Sequence, residues 1–574
     1  MDLAYITLLN PIEEGMSFSS SLLHRHYFHR HYFIVTISSS INMNSYFSAT
    51  LPLWGAIAPL VITLATPDPA IARTAAELEQ MAADMTVLID GINPGSGVIV
   101  GRQGDRYWVL TAGHVVATED EYWLVAPDGQ DYPIDYRTVR RLAGIDLAVL
   151  EFRSDRTYRV ATLATYPPDQ QFPYVFVSGR LGSYLQQQPM EHQFVAGLLL
   201  RQTYALLQSQ DPLAGGYDLF YTNITRRGMS GGPILDTDGR VVGIHGRSEG
   251  EEIADARGNY QRLFLGFSGG ISSQTFVQRV GGLEVAAQLR VTGDRPTPLT
   301  PTAQRSIAAI LEPSPVADVT DPIAWTNRGN QLYRLERFSE SLAAFERALQ
   351  LQPDFHQAWY GQGQVLTTQG RYDDALQAFE RALAIAPNFH LALRDRALVY
   401  ALQESYEAAI ADLDRVVQLA PDDYIAWYLR GNLFSRRMGW HDAALGAYDR
   451  ALSLAPNFAL VWVERGRTLH EMGDSQEALS SLRQATVLEP DLDVAWYWQG
   501  QVLLATGEAE LGLTAADRAI ALTPDNPDYW LLRARSLLAL GRTNEAQTDI
   551  QRVLDRRPGD QEAQAVLRQL SAAP

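Results

Sequence analysis

Two residue types are missing from this chain of 574 residues, which contains no cysteine and no lysine. The first absence removes disulfides, thiol nucleophiles and cysteine-ligated zinc. The second leaves all 47 basic residues as arginine, which removes a Ser–Lys dyad, a lysine-bearing phosphate loop and Schiff-base chemistry. Positive charge is scarce overall: 66 acidic residues give a formal charge of −19. Nucleic acid rewards clustered basic residues, so none is expected as a partner. Long apolar runs are few, and the stretch Leu51–Thr66, broken by Pro52 and Pro59, is short for a membrane span. The run from His24 to His31 is rich in donors, but no histidine pair stands at a dependable metal-ligand spacing. Neither a metal nor a cofactor is expected.

What the chain does hold is chemistry suited to acyl transfer. The apolar run from Tyr107 to Ala112 leads through Gly113 to His114, Asp146 opens the run Leu147–Leu150, and Gly228-Met-Ser230-Gly-Gly-Pro233 puts a serine in a glycine-rich turn. A serine hydroxyl is a weak nucleophile at neutral pH. It needs an imidazole to take its proton, and the imidazole needs a buried carboxylate to fix its tautomer and stabilise its cation. His114, Asp146 and Ser230 supply these types in the order His…Asp…Ser. Gly228, Gly231 and Gly232 leave the backbone free to turn successive N–H groups toward one point beside the hydroxyl, where an oxyanion would form. The turn Thr237-Asp-Gly239 reads as a hairpin directly afterwards. Each residue has a plainer reading, as a turn serine, a cap histidine, or one aspartate among Asp131, Asp135 and Asp155. Their order along the chain and the apolar strands beside them favour the chemical one.

Residues 86 to 285 resemble a trypsin-like serine protease domain, nearer to bacterial Deg/HtrA-type and glutamyl-endopeptidase-type members than to animal digestive enzymes. The resemblance is carried by Gly95-Ser-Gly-Val-Ile-Val100, Thr111-Ala-Gly-His114, Asp146-Leu-Ala-Val149, Gly228-Met-Ser230-Gly-Gly-Pro233 and Val242-Gly-Ile-His-Gly246. It implies an all-β double β-barrel with His114 as general base, Asp146 as its orienter, Ser230 as nucleophile, and the amides of Gly228 and Ser230 as the oxyanion hole. It further implies Ile244, His245 and Gly246 as the edge strand that pairs with a peptide substrate. Ile224 would floor the specificity pocket, suiting an apolar or small P1 side chain, although the acidic residues Glu249, Glu251, Glu252 and Asp255 could favour basic neighbours. Met229 stands where clip-activated animal enzymes carry an aspartate, which argues against that switch.

The second half repeats itself. Pro353, Pro387, Pro421, Pro456, Pro490, Pro524 and Pro558 recur at 34 residues with one step of 35, the mark of a stacked helical array. Trp325, Trp359, Trp427, Trp462, Trp496 and Trp530 keep the same register and read as packing residues. Small residues follow four positions later, at Gly329, Gly363, Ala397, Gly431, Gly466, Gly500 and Ala534, where a neighbouring helix must come close. The pattern resembles the tetratricopeptide repeat, in seven copies. Function in such arrays lies on the concave face, to which Thr326, Tyr360, Arg394, Tyr428, Val463, Tyr497 and Leu531 are assigned. Asn330, Gln364, Leu398, Asn432, Arg467, Gln501 and Arg535 are assigned to the same face, a mixture suited to a protein partner.

The chain is therefore read as four segments: an N-terminal extension and signal peptide over 1–72, a protease domain over 73–290, a proline-rich linker over 291–320, and an all-α solenoid over 321–574 whose last helix caps it. Ala70-Ile-Ala72 offers a small-x-small cleavage site after the apolar stretch. Export to the periplasm or beyond is expected, with retention of that stretch as a membrane anchor the alternative. No arginine lies between Met43 and Leu51 where a signal normally carries charge, and an over-extended start with Met43 as initiator would explain residues 1–42. The function expected is a serine endopeptidase with a recruiting array; its rival is a catalytically silent protein-interaction scaffold.

Overall fold

A computed structural model of the chain describes residues 73–166, 173–182, 190–200, 213–223, 225–254, 260–311, 316 and 319–572. The first element among the described residues is a short helix, α1 (Ala75–Ala83), begun by a reciprocal cap. The Thr74 hydroxyl accepts from the Glu77 amide, and the Glu77 carboxylate accepts from the Thr74 amide. Such a cap stabilises a helix by about 1 kcal/mol. The inner side of α1, Leu78 and Ala82, is fully buried and joins the main core.

Strands β1 (Thr86–Asp90), β2 (Gly95–Gln103), β3 (Arg106–Ala112), β4 (Tyr122–Val125), β5 (Asp131–Ile134), β6 (Arg140–Arg141) and β7 (Leu147–Arg153) build an antiparallel sheet in the order β5-β4-β1-β2-β3-β7-β6. Among the described residues its edges β5 and β6 are not paired with each other, so it is the half-barrel of the double β-barrel fold expected. The reason is local: β6 is two exposed arginines, too short and too charged to close a sheet.

The second sheet contains β8 (Thr162–Ala164), β9 (Tyr174–Leu181), β10 (Glu191–Leu200), β11 (Leu219–Tyr221), β12 (Pro233–Leu235), β13 (Val241–Ala254), β14 (Tyr260–Ser272) and β15 (Arg290–Thr292). Here β12-β9-β10-β11-β14-β13 does close, through pairing of β12 with β13, into a six-stranded barrel. Trp108 and Leu147 of the first sheet share one core with Phe176, Phe267 and Ile271 of the second.

A short helix α2 (Ser273–Arg279) follows β14. The first part of the segment read as a linker, through Ile310, then stays on the domain. β15 lies parallel to β8, the Thr165 amide donates to Thr292 at 2.9 Å, and Arg240 donates to the Asp294 carbonyl at 2.9 Å. Helix α3 (Pro301–Ile310) buries Ala303 and Ile307, and its Ser306 hydroxyl accepts from the amide of Ala75 at 3.1 Å. Pro301 sits in the first turn of α3, where the ring favours helix entry. Proline here shapes packed structure instead of stiffening a spacer.

From α4 (Pro322–Arg334) to α18 (Gln561–Ala572) the chain runs as seven antiparallel helix pairs and one further helix. The small residues work as expected: a β-carbon on Gly329 or on Gly361 would lie 2.5 Å from the ring of Phe345, which is fully buried between them. Burial of one such ring contributes about 2–3 kcal/mol. The tryptophans are half-buried staples instead of core. The indole N–H of Trp359, Trp427, Trp462, Trp496 and Trp530 donates to the carbonyl of the proline six residues earlier, at 2.8–3.1 Å.

The positions assigned to an open concave face are mostly inside. Thr326, Arg394, Tyr428 and Val463 are no more than 2% exposed. Consecutive first helices pack on one another and use these side chains as the joint. Tyr360 and Gln364 both donate to Asp395, while Arg394 pairs with Asp395 and Asp423. Farther along, Arg436 and Arg467 enclose the fully buried Glu464. Burial alone would push that carboxyl up, but the two guanidiniums more than reverse it and hold it below its usual range. Donors so committed are not available to a ligand. Tyr360, Tyr497, Gln501 and Arg535 remain half-exposed.

Candidate active site

His114 stands in the hydrogen-bonded turn that ends β3, where the Gly113 amide donates to the Asp146 carbonyl at 2.9 Å. Asp146 is the residue just before β7, which pairs with β3 through Ala112 and Leu147. The strand register thus sets the two side chains next to each other. The His114 amide donates to Asp146 Oδ1 at 2.8 Å, and His114 Nδ1 lies 2.7 Å from Oδ2. Burial works against the charge on Asp146. The hydrogen bonds and charge of His114, together with Tyr217, outweigh it and hold the carboxyl below the usual carboxylate range.

Tyr217 is the partner that sequence reasoning missed. Its hydroxyl donates to Asp146 Oδ2 at 2.6 Å, and the ring is buried. It reaches the site because the preceding glycines, Gly215 and Gly216, take φ of 79° and 84°, and because the Gly215 carbonyl accepts from the Asp146 amide at 2.7 Å. It also requires Gly246, since a β-carbon there would lie 2.2 Å from the tyrosine oxygen. A glycine pair before an aromatic was the available signal. Tyr217→Phe should lower kcat about tenfold, the loss of one hydrogen bond to a charged acceptor. A steady-state kinetic comparison with the unaltered protein checks this.

Ser230 lies in the turn between Gly228 and Gly232, packed against the end of β3. A β-carbon on Gly231 would lie 2.2 Å from Thr111 Oγ1, so only glycine fits, at φ 89°. Ser96, part of the matched Gly95–Val100 motif but given no role from sequence, ties both ends of the turn. Its amide donates to the Ser230 carbonyl at 2.7 Å and its hydroxyl to the Gly228 carbonyl at 2.8 Å. The Ser230 hydroxyl donates to the Gly246 carbonyl at 2.8 Å, and among the described residues no hydrogen bond joins it to His114.

Ile244 and His245 sit differently from their sequence assignment as a substrate edge. Ile244 pairs with Pro233 on one side and Ile271 on the other. His245 donates its amide to Gly232 and accepts from Gly231, so its backbone closes the turn that carries Ser230. Among the described residues no strand pairs with β13 beyond Ile244 on the side away from β14, which leaves Gly246 as the first residue of the edge. Ile224, assigned to the pocket floor, lies outside the described residues, as do the histidine cluster His24–His31 and the apolar stretch Leu51–Thr66. Among the described residues no group of acids and histidines is arranged to hold a metal, and no helix is long and apolar enough to cross a membrane.

His245 is fully buried beside the Tyr221 hydroxyl at 2.7 Å, and burial together with the nearby His114 pulls it down to about 3. His192, on Ser178 at 2.9 Å, is pulled down to about 4 by burial and by Arg180. Unfolded histidine binds its proton below about pH 6.5, so between these values the unfolded chain holds more protons than the folded one. Stability therefore falls as pH drops below 6.5, by about 1.4 kcal/mol per pH unit for His245. The melting temperature should be several degrees lower at pH 5 than at pH 7.5, and His245→Gln should flatten that dependence in a calorimetric series.

A closed six-stranded barrel and a half-barrel, with a carboxylate–imidazole pair on one sheet and a serine in a glycine turn on the other, fit the trypsin-like class of folds. Residues 95–244 match the family model of the trypsin-like peptidase domain, and tetratricopeptide-repeat models match segments from 326 to 570. The chain carries a trypsin-like peptidase domain followed by tetratricopeptide repeats. Curated relatives include the probable periplasmic serine endoproteases DegP-like of Brucella suis biovar 1 (strain 1330) and Brucella abortus biovar 1 (strain 9-941). Each is 28% identical over 157 residues, covering 26% of this chain and 27% of the relative. The chain thus spans about a quarter of the length of these relatives. Similar solved structures include PilW, a type IV pilus biogenesis factor, at 18% identity and TM-score 0.35 over 37% of this chain and 98% of that one. YrrB, a tetratricopeptide-repeat protein with an unusual peptide-binding site, is 26% identical with TM-score 0.26 over 31% of this chain and 90% of that one.

Proposed function

We propose that the chain is an exported serine endopeptidase whose repeats recruit a protein substrate or partner. The observation that carries this reading is the Asp146 carboxylate, which accepts from both the amide and the ring of His114 and from Tyr217. A carboxylate so held fixes the imidazole with its proton on Nδ1 and leaves Nε2 free to act as a base. In the proposed reaction the Ser230 hydroxyl turns from the Gly246 carbonyl to His114, gives up its proton to Nε2, and attacks the scissile carbonyl. The oxyanion is met by the amides of Gly228 and Ser230, His114 returns the proton to the leaving amine, and water repeats the sequence on the acyl-enzyme. An extended substrate would pair along β13 from Gly246 onward, a form of strand addition. The periplasmic naming of the relatives and the Ala70-Ile-Ala72 motif support export.

The rival reading, a silent protease fold serving as a scaffold, is favoured by one observation: the serine hydroxyl is bonded to Gly246 and not to His114. A serine-directed fluorophosphonate separates the two. Covalent labelling of the full chain with cleavage of an unstructured protein supports the peptidase, and neither signal supports the scaffold.

A further inference from the structure

Strands β13 and β14 form an antiparallel ribbon that is interrupted. Arg247 and Ser248 pair with Gly269 and Ser268, and the next pair is Gly250 with Phe264, so Leu265, Gly266 and Phe267 bulge from β14. Gly266 has φ of 84°, and a β-carbon on it would lie 2.7 Å from the Asn330 carbonyl oxygen. The bulge divides the ribbon in two. The inner part belongs to the barrel and adjoins Gly246; the outer part, Gly250–Ala254 with Tyr260–Phe264, carries β13 onward past the site.

The edge of that outer part is held by α4, the first helix of the array. Asn327 Oδ1 accepts from the Phe264 amide at 2.7 Å, and its Nδ2 donates to the Arg262 carbonyl at 3.0 Å. Asn330 Nδ2 donates to the Phe264 carbonyl at 2.7 Å, and Arg334 Nε to the Leu265 carbonyl at 2.8 Å. The Arg334 guanidinium also lies 6.0 Å from the centre of the Phe267 ring. A carboxamide that both accepts and donates completes a strand edge as another strand would. A bulge is where a ribbon changes direction, and here the direction is fixed by hydrogen bonds from one rigid helix.

We propose that Asn327, Asn330 and Arg334 are positioning residues for an extended substrate. They aim the outer part of the ribbon so that β13 beyond Ser248 continues the edge begun at Gly246. There the Arg262 guanidinium donates to the Ser248 carbonyl at 2.9 Å and the Gly250 carbonyl at 3.4 Å, and would swing aside for the substrate. The proposal rests on the peptidase reading. Its consequence is that the first repeat acts on the substrate residues farthest from the scissile bond and leaves the nucleophile alone.

Two fluorogenic peptides of one sequence test this on the full chain, the shorter beginning three residues before the scissile bond and the longer extended by five residues on its amino-terminal side. The variants are Asn327→Ala with Asn330→Ala, Arg334→Ala, and Arg334→Lys, whose ammonium can still donate to Leu265. The alanine variants should raise KM for the longer peptide about tenfold with kcat unchanged, keep the shorter peptide within about twofold, and react with fluorophosphonate at the unaltered rate. Arg334→Lys should recover most of the loss. An equal loss on both peptides, or none on either, overturns the proposal. If the unaltered protein is neither labelled nor active on either peptide, the peptidase reading itself fails and takes this inference with it.

Discussion

Ser230→Ala should eliminate fluorophosphonate labelling and lower kcat for peptide cleavage by about 10⁶, the scale seen when a serine nucleophile is lost from such a constellation. The fold should survive. Among the described residues the Ser230 hydroxyl makes a single hydrogen bond, to the carbonyl of Gly246, where β13 has no strand on the side away from β14. Removing such a bond costs about 1 kcal/mol. The turn keeps its shape through backbone contacts that alanine retains: Ser230 O to Ser96, Gly231 to His245, and Gly232 to Met229. Melting temperature and far-UV dichroism should therefore match the unaltered protein while activity vanishes. Undiminished cleavage by the alanine variant would sink the serine mechanism.

Asp146→Asn should lower turnover by about 10³ to 10⁴ with little change in melting temperature. All the side-chain contacts of this carboxylate are with donors: the His114 amide at Oδ1, and the His114 ring and Tyr217 hydroxyl at Oδ2. An asparagine brings a donor of its own. Whichever way the amide is set, one N–H faces another hydrogen-bond donor, and the setting that spares the backbone contact reverses the imidazole tautomer. The nearby alternatives behave differently. Asp135 caps a short helical turn and grips Arg137 on the surface, so Asp135→Asn should leave the rate within about twofold, the usual range for surface changes. A large loss from Asp135→Asn or Asp155→Asn, with activity kept in Asp146→Asn, would move the orienting role elsewhere.

The features legible in the sequence are those with local signals. A strand ending on glycine and histidine, or a serine set among glycines, can be read within ten residues, and the 34-residue period sets the helix pairs because each repeat is its own signal. What could not be read depends on contacts between distant segments. Tyr217 meets Asp146 across 71 residues, and nothing beside Asp146 announces it. The surface of the array failed for a related reason: the period fixes which residues lie on one helix face, but whether that face meets water or the next helix depends on how tightly successive pairs are wound. Tyr360 reaching Asp395 shows it meeting the next helix.

Asparagines 327 and 330 also bear on how such a chain could be assembled or taken apart over time. A crossover in the proline-rich stretch before residue 321 would hand a new array to the catalytic half without the carboxamides that complete β14, leaving Arg262 to Leu265 as a bare strand edge open to self-association. Donor repeats would be acceptable only if their first helix presented amide side chains at matching turns. An exchange that keeps this edge covered must therefore carry residues through Arg334 with the β domain and join the new repeats on the far side of that helix.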